Sequence, residues 1–109
     1  MKILLINPSR VDGYPVVREE RFEHKDFEMI QPPLNLLYCA SHLVKYGHKV
    51  SLLDANGFDL NLTEVETKIK KEKPNLVIIR TGFDTFFTDI KVLEIAKKYK
   101  AITICRNKI

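Results

Sequence analysis

Short apolar segments alternate with longer amphipathic segments along most of the chain. Four segments are apolar through their middle and lack the regular polar alternation of a half-exposed strand. This pattern is typical of strands that are buried on both faces of a parallel sheet. We expect these strands at Lys2–Asn7, Lys49–Asp54, Asn75–Thr81 and Ala101–Cys105.

The segment before the second predicted strand has the pattern of a helix. Pro32-Pro33 places a proline at the first helical position, and Gly47 is expected to follow the last turn as a C′ glycine. Apolar residues recur between them with helical spacing, at Leu36, Leu37, Ala40, Leu43 and Val44. This stripe predicts the face that packs on the sheet.

Two further helices are predicted between the remaining strands. The second begins near Asn61 or Thr63, where Thr63-x-x-Glu66 would form a capping box, and Pro74 stops it. The third begins at Thr85 or Thr88 and has an apolar face made of Ile90, Leu93 and Ala96.

The alternation of four strands with three helices predicts an α/β fold, a doubly wound parallel sheet within a single domain over residues 1–109. Local sequence does not choose between the strand orders 2-1-3-4 and 3-2-1-4. Residues 8–32 form a long loop that is a lid, an ordered meander or a disordered segment. The fourth strand leaves an open edge, so we expect either a fragment of a longer protein or a covering second chain.

Composition and charge narrow the function classes. The chain has 18 Lys and Arg against 14 Asp and Glu, and the excess lies largely in residues 68–73 and 97–100, where it complements helix C-termini. No basic patch with interleaved aromatic residues or docking motif indicates nucleic-acid binding. No apolar run approaches the roughly 20 residues of a membrane span, and no signal peptide precedes the first strand, so we expect a cytoplasmic protein.

Motifs for the commonest chemistries are absent from the sequence. It has no G-x-G-x-x-G, no phosphate-binding P-loop and no C-x-x-C. The histidines, His24, His42 and His48, lack metal-ligand spacing, and we expect Cys39 and Cys105 to be buried and reduced. No catalytic machinery is therefore expected in this chain alone.

The candidate ligand site lies where the predicted strands end, because ligands of such sheets bind outside the carboxyl ends of the strands. Polar or small residues stand at the ends of all four strands, at Asn7–Arg10, Asp54–Gly57, Arg80–Asp84 and Cys105–Asn107. Asp54 would either hold a ribose hydroxyl or form a turn. Phe83, Phe86 and Phe87 would either pack the third helix on the sheet or stack on a ligand.

Several segments, taken in order, resemble the N-terminal cobalamin-binding domain of B12-dependent radical SAM proteins. They are Lys2–Pro8, Pro32–Leu43, Tyr46–Val50, Leu52–Asn56 and Lys73–Val77. The resemblance implies a flavodoxin-like strand order of 2-1-3-4, cobalamin as cofactor, and a radical SAM domain as partner in cis or in trans. The three-cysteine iron–sulfur motif of that partner domain is absent here, so this chain would supply only the cobalamin module.

The resemblance also implies a set of cofactor-binding residues: Asn7, Pro8, Ser9, Leu34, Asp54, Asn56, Thr81 and Gly82. They would form a platform for the corrin and a slot for its nucleotide tail. Ser9 stands where other B12 domains have a cobalt-ligating histidine, so this loop would give the cobalt of a bound cobalamin no histidine. Asn35 replaces the usual glycine of Pro-Pro-Leu-Gly, and Cys105-Arg106-Asn107 replaces the glycine pair expected after the fourth strand.

Two alternatives remain at this point. The chain could be a degenerate domain without cofactor that forms a homodimer or another contact through the open edge of the fourth strand. By analogy of fold alone, it could also bind a flavin or a nucleotide.

Overall fold

The structure, a computed structural model, describes residues 1–19, 22–25 and 32–107. In chain order its elements are β1 (Lys2–Asn7), β2 (Val16–Glu19), β3 (Phe22–Lys25), α1 (Leu34–Lys45), β4 (Lys49–Asp54), α2 (Leu62–Glu72), β5 (Leu76–Arg80), α3 (Phe86–Lys98) and β6 (Ile102–Arg106). The four predicted strands are confirmed as β1, β4, β5 and β6, and their ends differ from the expected ones by at most one residue.

These four strands form one parallel sheet in the order β4-β1-β5-β6. β1 pairs with β4 on one side and with β5 on the other, so that Leu5 lies opposite both Leu52 and Ile78. A strand with partners on both sides and helices over both faces has no side that faces water. This explains why β1 is apolar from Ile3 through Ile6, all of which are buried.

Helices cover both faces of the sheet. α1 packs on β4 and β1, whereas α2 and α3 lie on the opposite face. Side chains of a strand alternate between faces, so Leu5 belongs to the cluster under α1 while Leu4 and Ile6 belong to the cluster under α2 and α3. The two clusters together form the core. On the face of the sheet that α1 covers, the part formed by β6 stays uncovered.

Glycine ends α1 as the sequence predicts. Gly47 has a φ of +88°, in the left-handed region, and its N–H donates to the Val44 carbonyl at 3.0 Å. The N–H of His48 donates to the Leu43 carbonyl at 3.2 Å, which completes a Schellman motif. The Gly47 prediction is confirmed, and the turn directs the chain into β4.

The predicted capping box of α2 is wrong by two residues. Asn61, in extended conformation, accepts a hydrogen bond from the Glu64 N–H at 2.8 Å, and the Glu64 carboxylate accepts one from the Asn61 N–H at 3.2 Å. The pair Thr63 and Glu66 lies inside the helix instead. Both Asn61 and Thr63 are good capping residues, and the extended backbone at Asn61 decides where the helix begins.

The apolar stripe predicted for α1 is wider than the buried face. Leu36 is buried and Ala40 and Leu43 pack beside it, but Leu37 and Val44 are exposed. Because α1 lies over only the β4 and β1 part of the sheet, it buries a narrow strip of its surface.

Part of the long loop over residues 8–32 is an antiparallel hairpin, β2 and β3, in which Val17 lies opposite His24. A tight turn precedes it, with Asp12 and Gly13 both at positive φ and Val11 exchanging two backbone hydrogen bonds with Tyr14. The sequence left three alternatives for this loop: a lid, an ordered meander or a disordered segment. Its described part has regular structure, and β2 lies over the sheet.

Candidate functional site

β2 crosses the edge of the sheet where β1, β4 and β5 end, which we call the C-terminal edge. The Val16 N–H donates to Asn56 Oδ1 at 2.7 Å, in the loop after β4. The Nε of Arg80, the last residue of β5, donates to the Arg18 carbonyl at 2.7 Å. These two bonds attach β2 to both sides of β1, so the side chains of β2 decide what occupies this edge.

The side chain of Arg18 fills the centre of the C-terminal edge. It forms a two-pronged ion pair with Asp89 of α3, with Nε–Oδ2 and Nη2–Oδ1 distances of 2.9 and 2.8 Å. Arg18 is 4% exposed and Asp89 is 1% exposed. Parallel N–H···O bonds of this kind are the strongest that arginine forms with a carboxylate.

The remaining donors of Arg18 are bound by the loop that follows β1. Its Nη1 donates to the Pro8 carbonyl at 3.0 Å and to Asn7 Oδ1 at 3.3 Å, and its Nη2 donates to the Ser9 carbonyl at 2.9 Å. The guanidinium is therefore held by β1, by its loop and by α3 at once. Burial of the charge is offset because each of its three nitrogens has a partner.

Asp89 accepts two hydroxyl hydrogen bonds in addition to the ion pair. Thr81 Oγ1 and Thr85 Oγ1 donate to its Oδ2 at 2.8 and 2.7 Å. Thr85 is the N-cap residue of α3, as predicted, but its hydroxyl binds Asp89 and makes no capping hydrogen bond. Burial raises the pKa of the Cys105 thiol in β6, and the negative charge of the nearby Asp89 carboxylate raises it further.

A second polar network joins β1 to β4. Asn7 Nδ2 donates to Asp54 Oδ1 at 2.8 Å, and the Gly57 N–H donates to the same oxygen at 2.9 Å. A Cβ at position 57 would collide with the Asp54 carboxylate, so any other residue here would displace Asp54 from its hydrogen bonds. Asp54 thus acts here as the turn former that the sequence suggested.

The predicted site residues fall into two groups in the structure. Those that surround Arg18 or join its network are largely buried and hydrogen-bonded to other parts of the chain: Asn7, Pro8, Ser9, Asp54, Asn56, Thr81 and Gly82. Leu34, in the first turn of α1, is exposed. The open slot expected between Asn7 and Thr81 is not open, because the Arg18 side chain occupies it; a cofactor-binding role of these residues stays a prediction.

A separate cleft of about 230 Å³ opens beside the Arg18 network, on the face of α2 and α3. Ser9 lines it, and the Ser9 Oγ is a buried atom without a hydrogen-bond partner. Arg10 lines its outer side, where Nε donates to the Asn56 carbonyl at 2.9 Å and lies 3.6 Å from the Asp59 carboxylate. The other lining residues include Pro8, Leu60, Leu62, Thr88, Asp89 and Val92.

The phenylalanines near the C-terminal edge do not pack as expected. Phe83 is 68% exposed and Phe87 is 84% exposed, so the prediction that they pack α3 on the sheet is wrong. The buried face of α3 is instead made of Asp89, Val92, Leu93 and Ala96. Phe86 and Phe87 contact each other edge to face, with ring centroids 5.6 Å apart. The side chains of Phe83 and Phe87 are therefore both exposed beside the C-terminal edge.

The described cysteine and histidine side chains, those of Cys39, Cys105, His42 and His48, form no metal site. Cys39 and Cys105 are free thiols and are only partly buried, which corrects the expectation of full burial. His42 is exposed on α1, and the side chain of His24 lies outside the described residues. Over residues 1–19, 22–25 and 32–107, no group of three histidine, cysteine, aspartate or glutamate side chains is placed to hold a metal ion.

Two residues that fill this edge, Arg18 and Asp89, were not anticipated from sequence, whereas Arg80 belongs to the polar strand end that the sequence indicated. Asp89 gave the clearest signal, since it lies on the same helical face as the apolar Val92 and Leu93. An aspartate among core positions needs a buried partner. Asp12-Gly13 is likewise a known turn signal within the long loop.

The parallel sheet with helices on both faces and polar side chains at the C-terminal edge defines a Rossmann-like α/β domain. Comparison with protein-family models, with curated proteins and with solved structures finds no match to this chain. In the described part of the chain, none of the helices has the length and apolar character needed to cross a membrane.

Proposed function

We propose that this chain is the cobalamin-binding module of a B12-dependent radical SAM enzyme, with the corrin lying across the outside of the C-terminal edge. The observation that carries the proposal is the combination of this polar edge with apolar side chains that stand exposed beside it, Leu34, Phe83 and Phe87. A broad corrin disc with amide side chains would use both kinds of surface. The strand order also supports the proposal. When the four strands of the parallel sheet are numbered along the chain, β4-β1-β5-β6 reads 2-1-3-4, the order that the resemblance to cobalamin-binding domains implies.

The two parts of cobalamin fit this edge differently. The exposed outer surface is compatible with a corrin, and the cleft beside Ser9 has room for one of its amide side chains but not for the ring. The nucleotide tail does not fit the inner notch, because the Arg18 side chain and its ion pair with Asp89 fill it. The proposed complex therefore leaves the tail outside the sheet.

In this complex the chain binds and orients the corrin, and the loop after β1 gives the cobalt no histidine, because Ser9 stands there and serine is a poor ligand for cobalt. Cobalamin would supply the alkyl-transfer chemistry of its cobalt. The radical reaction would belong to a partner domain with its own cluster motif.

A titration with two corrinoids tests the proposal. Hydroxocobalamin and aquocobinamide, which lacks the nucleotide tail, are added separately, and binding is measured by equilibrium dialysis, with the corrinoid quantified by its absorbance. Because no tail enters the sheet, we expect both to bind with Kd values within about threefold of each other, which is less than 1 kcal/mol. Absence of binding of both corrinoids at high micromolar protein would contradict the proposal, and much tighter binding of cobalamin than of aquocobinamide would contradict the external position of the tail.

Matched variants of α1 locate the corrin. Leu34 lies at the end of α1 next to the C-terminal edge, and Val44 lies at its other end; both are exposed. Leu34→Glu is expected to weaken corrinoid binding at least about tenfold by placing a hydrated charge under the ring, whereas Val44→Glu leaves binding unchanged. Equal corrinoid binding by Leu34→Glu and Val44→Glu would show that the corrin does not lie on this surface.

A second candidate function, self-association through β6, is favoured by one specific observation. Ile102 and Ile104 are exposed on the face of the sheet that α1 leaves uncovered. They are in register with Leu76 and Ile78, which point to the α1 face. Within the described residues, β6 pairs only with β5, so its other side is an edge that a second copy could extend.

Sedimentation measures this second candidate directly. The chain is expected to form a dimer whose population rises with concentration, and the double variant I102E/I104E is expected to stay monomeric. A wild-type chain that remains monomeric at several hundred micromolar would exclude it, and this result would leave the corrinoid titration unaffected.

A further inference from the structure

The most unusual charge in the described structure is that of Arg80, the last residue of β5. Arg80 is 2% exposed, and its Nε donates to the Arg18 carbonyl. Its Nη2 is buried and has no hydrogen-bond partner. Among the described residues no carboxylate forms an ion pair with it, whereas the equally buried Arg18 has Asp89. A buried guanidinium without a counter-charge is costly, and this cost falls if an anion is bound.

A small cavity beside Arg80 leads to the start of α1. Its walls are formed by Asn7, Val16, Val17, Arg18, Pro32, Pro33, Asn35, Leu36 and Arg80. The N-cap residue Pro33 offers no side-chain cap, and the first turn of α1 contains no acidic residue. The positive end of the helix dipole therefore faces the cavity that Arg80 lines, without a negative group on the helix to offset it.

The cavity has a volume of about 10 Å³, which is close to the minimum that holds one water-sized atom. It admits a single oxygen and not a whole phosphate group. An anion bound here would insert one oxygen between Arg80 and the first turn of α1 and keep the rest of the molecule outside.

We propose that Arg80 and the N-terminus of α1 form a binding site for an oxyanion group, a carboxylate or a phosphate, that enters with one oxygen. Arg80 Nη2 donates to this oxygen, and the helix dipole adds to the attraction. The site opens at the α1 side of the C-terminal edge, and the experiments that test it need no corrinoid.

A nuclear magnetic resonance titration of the 109-residue chain tests the site. Inorganic phosphate and acetate are added in separate series against sodium chloride at constant ionic strength, and the Arg80 Nε–H and the Leu36 amide signals are followed. Saturating shifts of both signals with a millimolar Kd are expected for the oxyanion that binds. The two series separate a phosphate from a carboxylate site, and a response to neither anion overturns the proposal.

Variants distinguish this site from general charge attraction. Arg80→Met removes the free donor and is expected to weaken binding at least about tenfold, while Arg10→Met, which changes an arginine beside the other cleft, leaves binding unchanged. Because Arg80→Met also removes the Nε hydrogen bond to the Arg18 carbonyl, its circular dichroism spectrum and its urea unfolding in anion-free buffer are compared with those of the wild type to show that the variant is folded. Equal anion binding by a folded Arg80→Met variant and the wild type overturns the proposal.

Discussion

Replacing Arg18 with alanine is expected to lower the free energy of unfolding by about 3–5 kcal/mol, because it leaves the buried carboxylate of Asp89 without its counter-charge. The ion pair is almost fully buried, and the same side chain also binds the carbonyls of Pro8 and Ser9. Urea unfolding of the two proteins, monitored by circular dichroism, gives the difference. A domain of this size has only about 5–15 kcal/mol in total, so the loss would be a large share.

An exposed ion pair provides the control for Arg18→Ala. Lys98 lies 2.7 Å from the Glu66 carboxylate, and both side chains are accessible to solvent. Lys98→Ala is expected to cost less than about 1 kcal/mol. In a double-mutant cycle, R18M/D89N should be less destabilised than the sum of its two single variants. An Arg18→Ala variant no less stable than Lys98→Ala would show that the buried pair does not stabilise the fold.

Leu5→Ala is expected to produce the second large effect, a loss of about 2–5 kcal/mol, because it leaves a cavity in the core under α1. Leu5 is fully buried in β1, between β4 and β5, where both neighbouring strands limit how far the site can collapse. Urea unfolding again gives the measurement. Leu37→Ala is the matched control: Leu37 is exposed on α1, and alanine is a strong helix former, so its change should be below about 1 kcal/mol.

Equal losses in the two leucine variants would mean that α1 is packed differently from the structure described above. A loss confined to Leu5→Ala would confirm that α1 buries only the narrow strip around Leu36. This pair of variants therefore tests the position of α1 on the sheet as well as the contribution of the buried Leu5 side chain to the free energy of unfolding.

The parallel sheet could be predicted from sequence because its signals are local. β1 and β4 are short apolar runs, and Gly47 marks the end of α1 by a backbone conformation that few other residues adopt. The start of α2 was less certain because Asn61 and Thr63 are both suitable caps. Local patterns thus identified the strands of the parallel sheet and the three helices, and backbone geometry decided between the two possible starts of α2.

The interior of the candidate site could not be predicted because it depends on residues far apart in sequence. Arg18 lies in a charged loop segment, where an arginine is ordinarily solvated, and its partner Asp89 is 71 positions away. The hairpin that carries Arg18 over the sheet has no sustained apolar alternation. The exposure of Phe83 and Phe87 could not be predicted because large aromatic side chains beside a helix are usually part of the core.

The position of β2 across three strand ends has a consequence for how the domain opens. Separating β2 from the sheet would expose the Arg18 and Asp89 charges together and break its bonds to Asn56 and Arg80. A loop held only by surface contacts opens locally at little cost, whereas this segment opens with a penalty close to that of global unfolding. Its backbone amides should therefore exchange with solvent deuterium as slowly as those of the central strands, although β2 lies within a connecting segment.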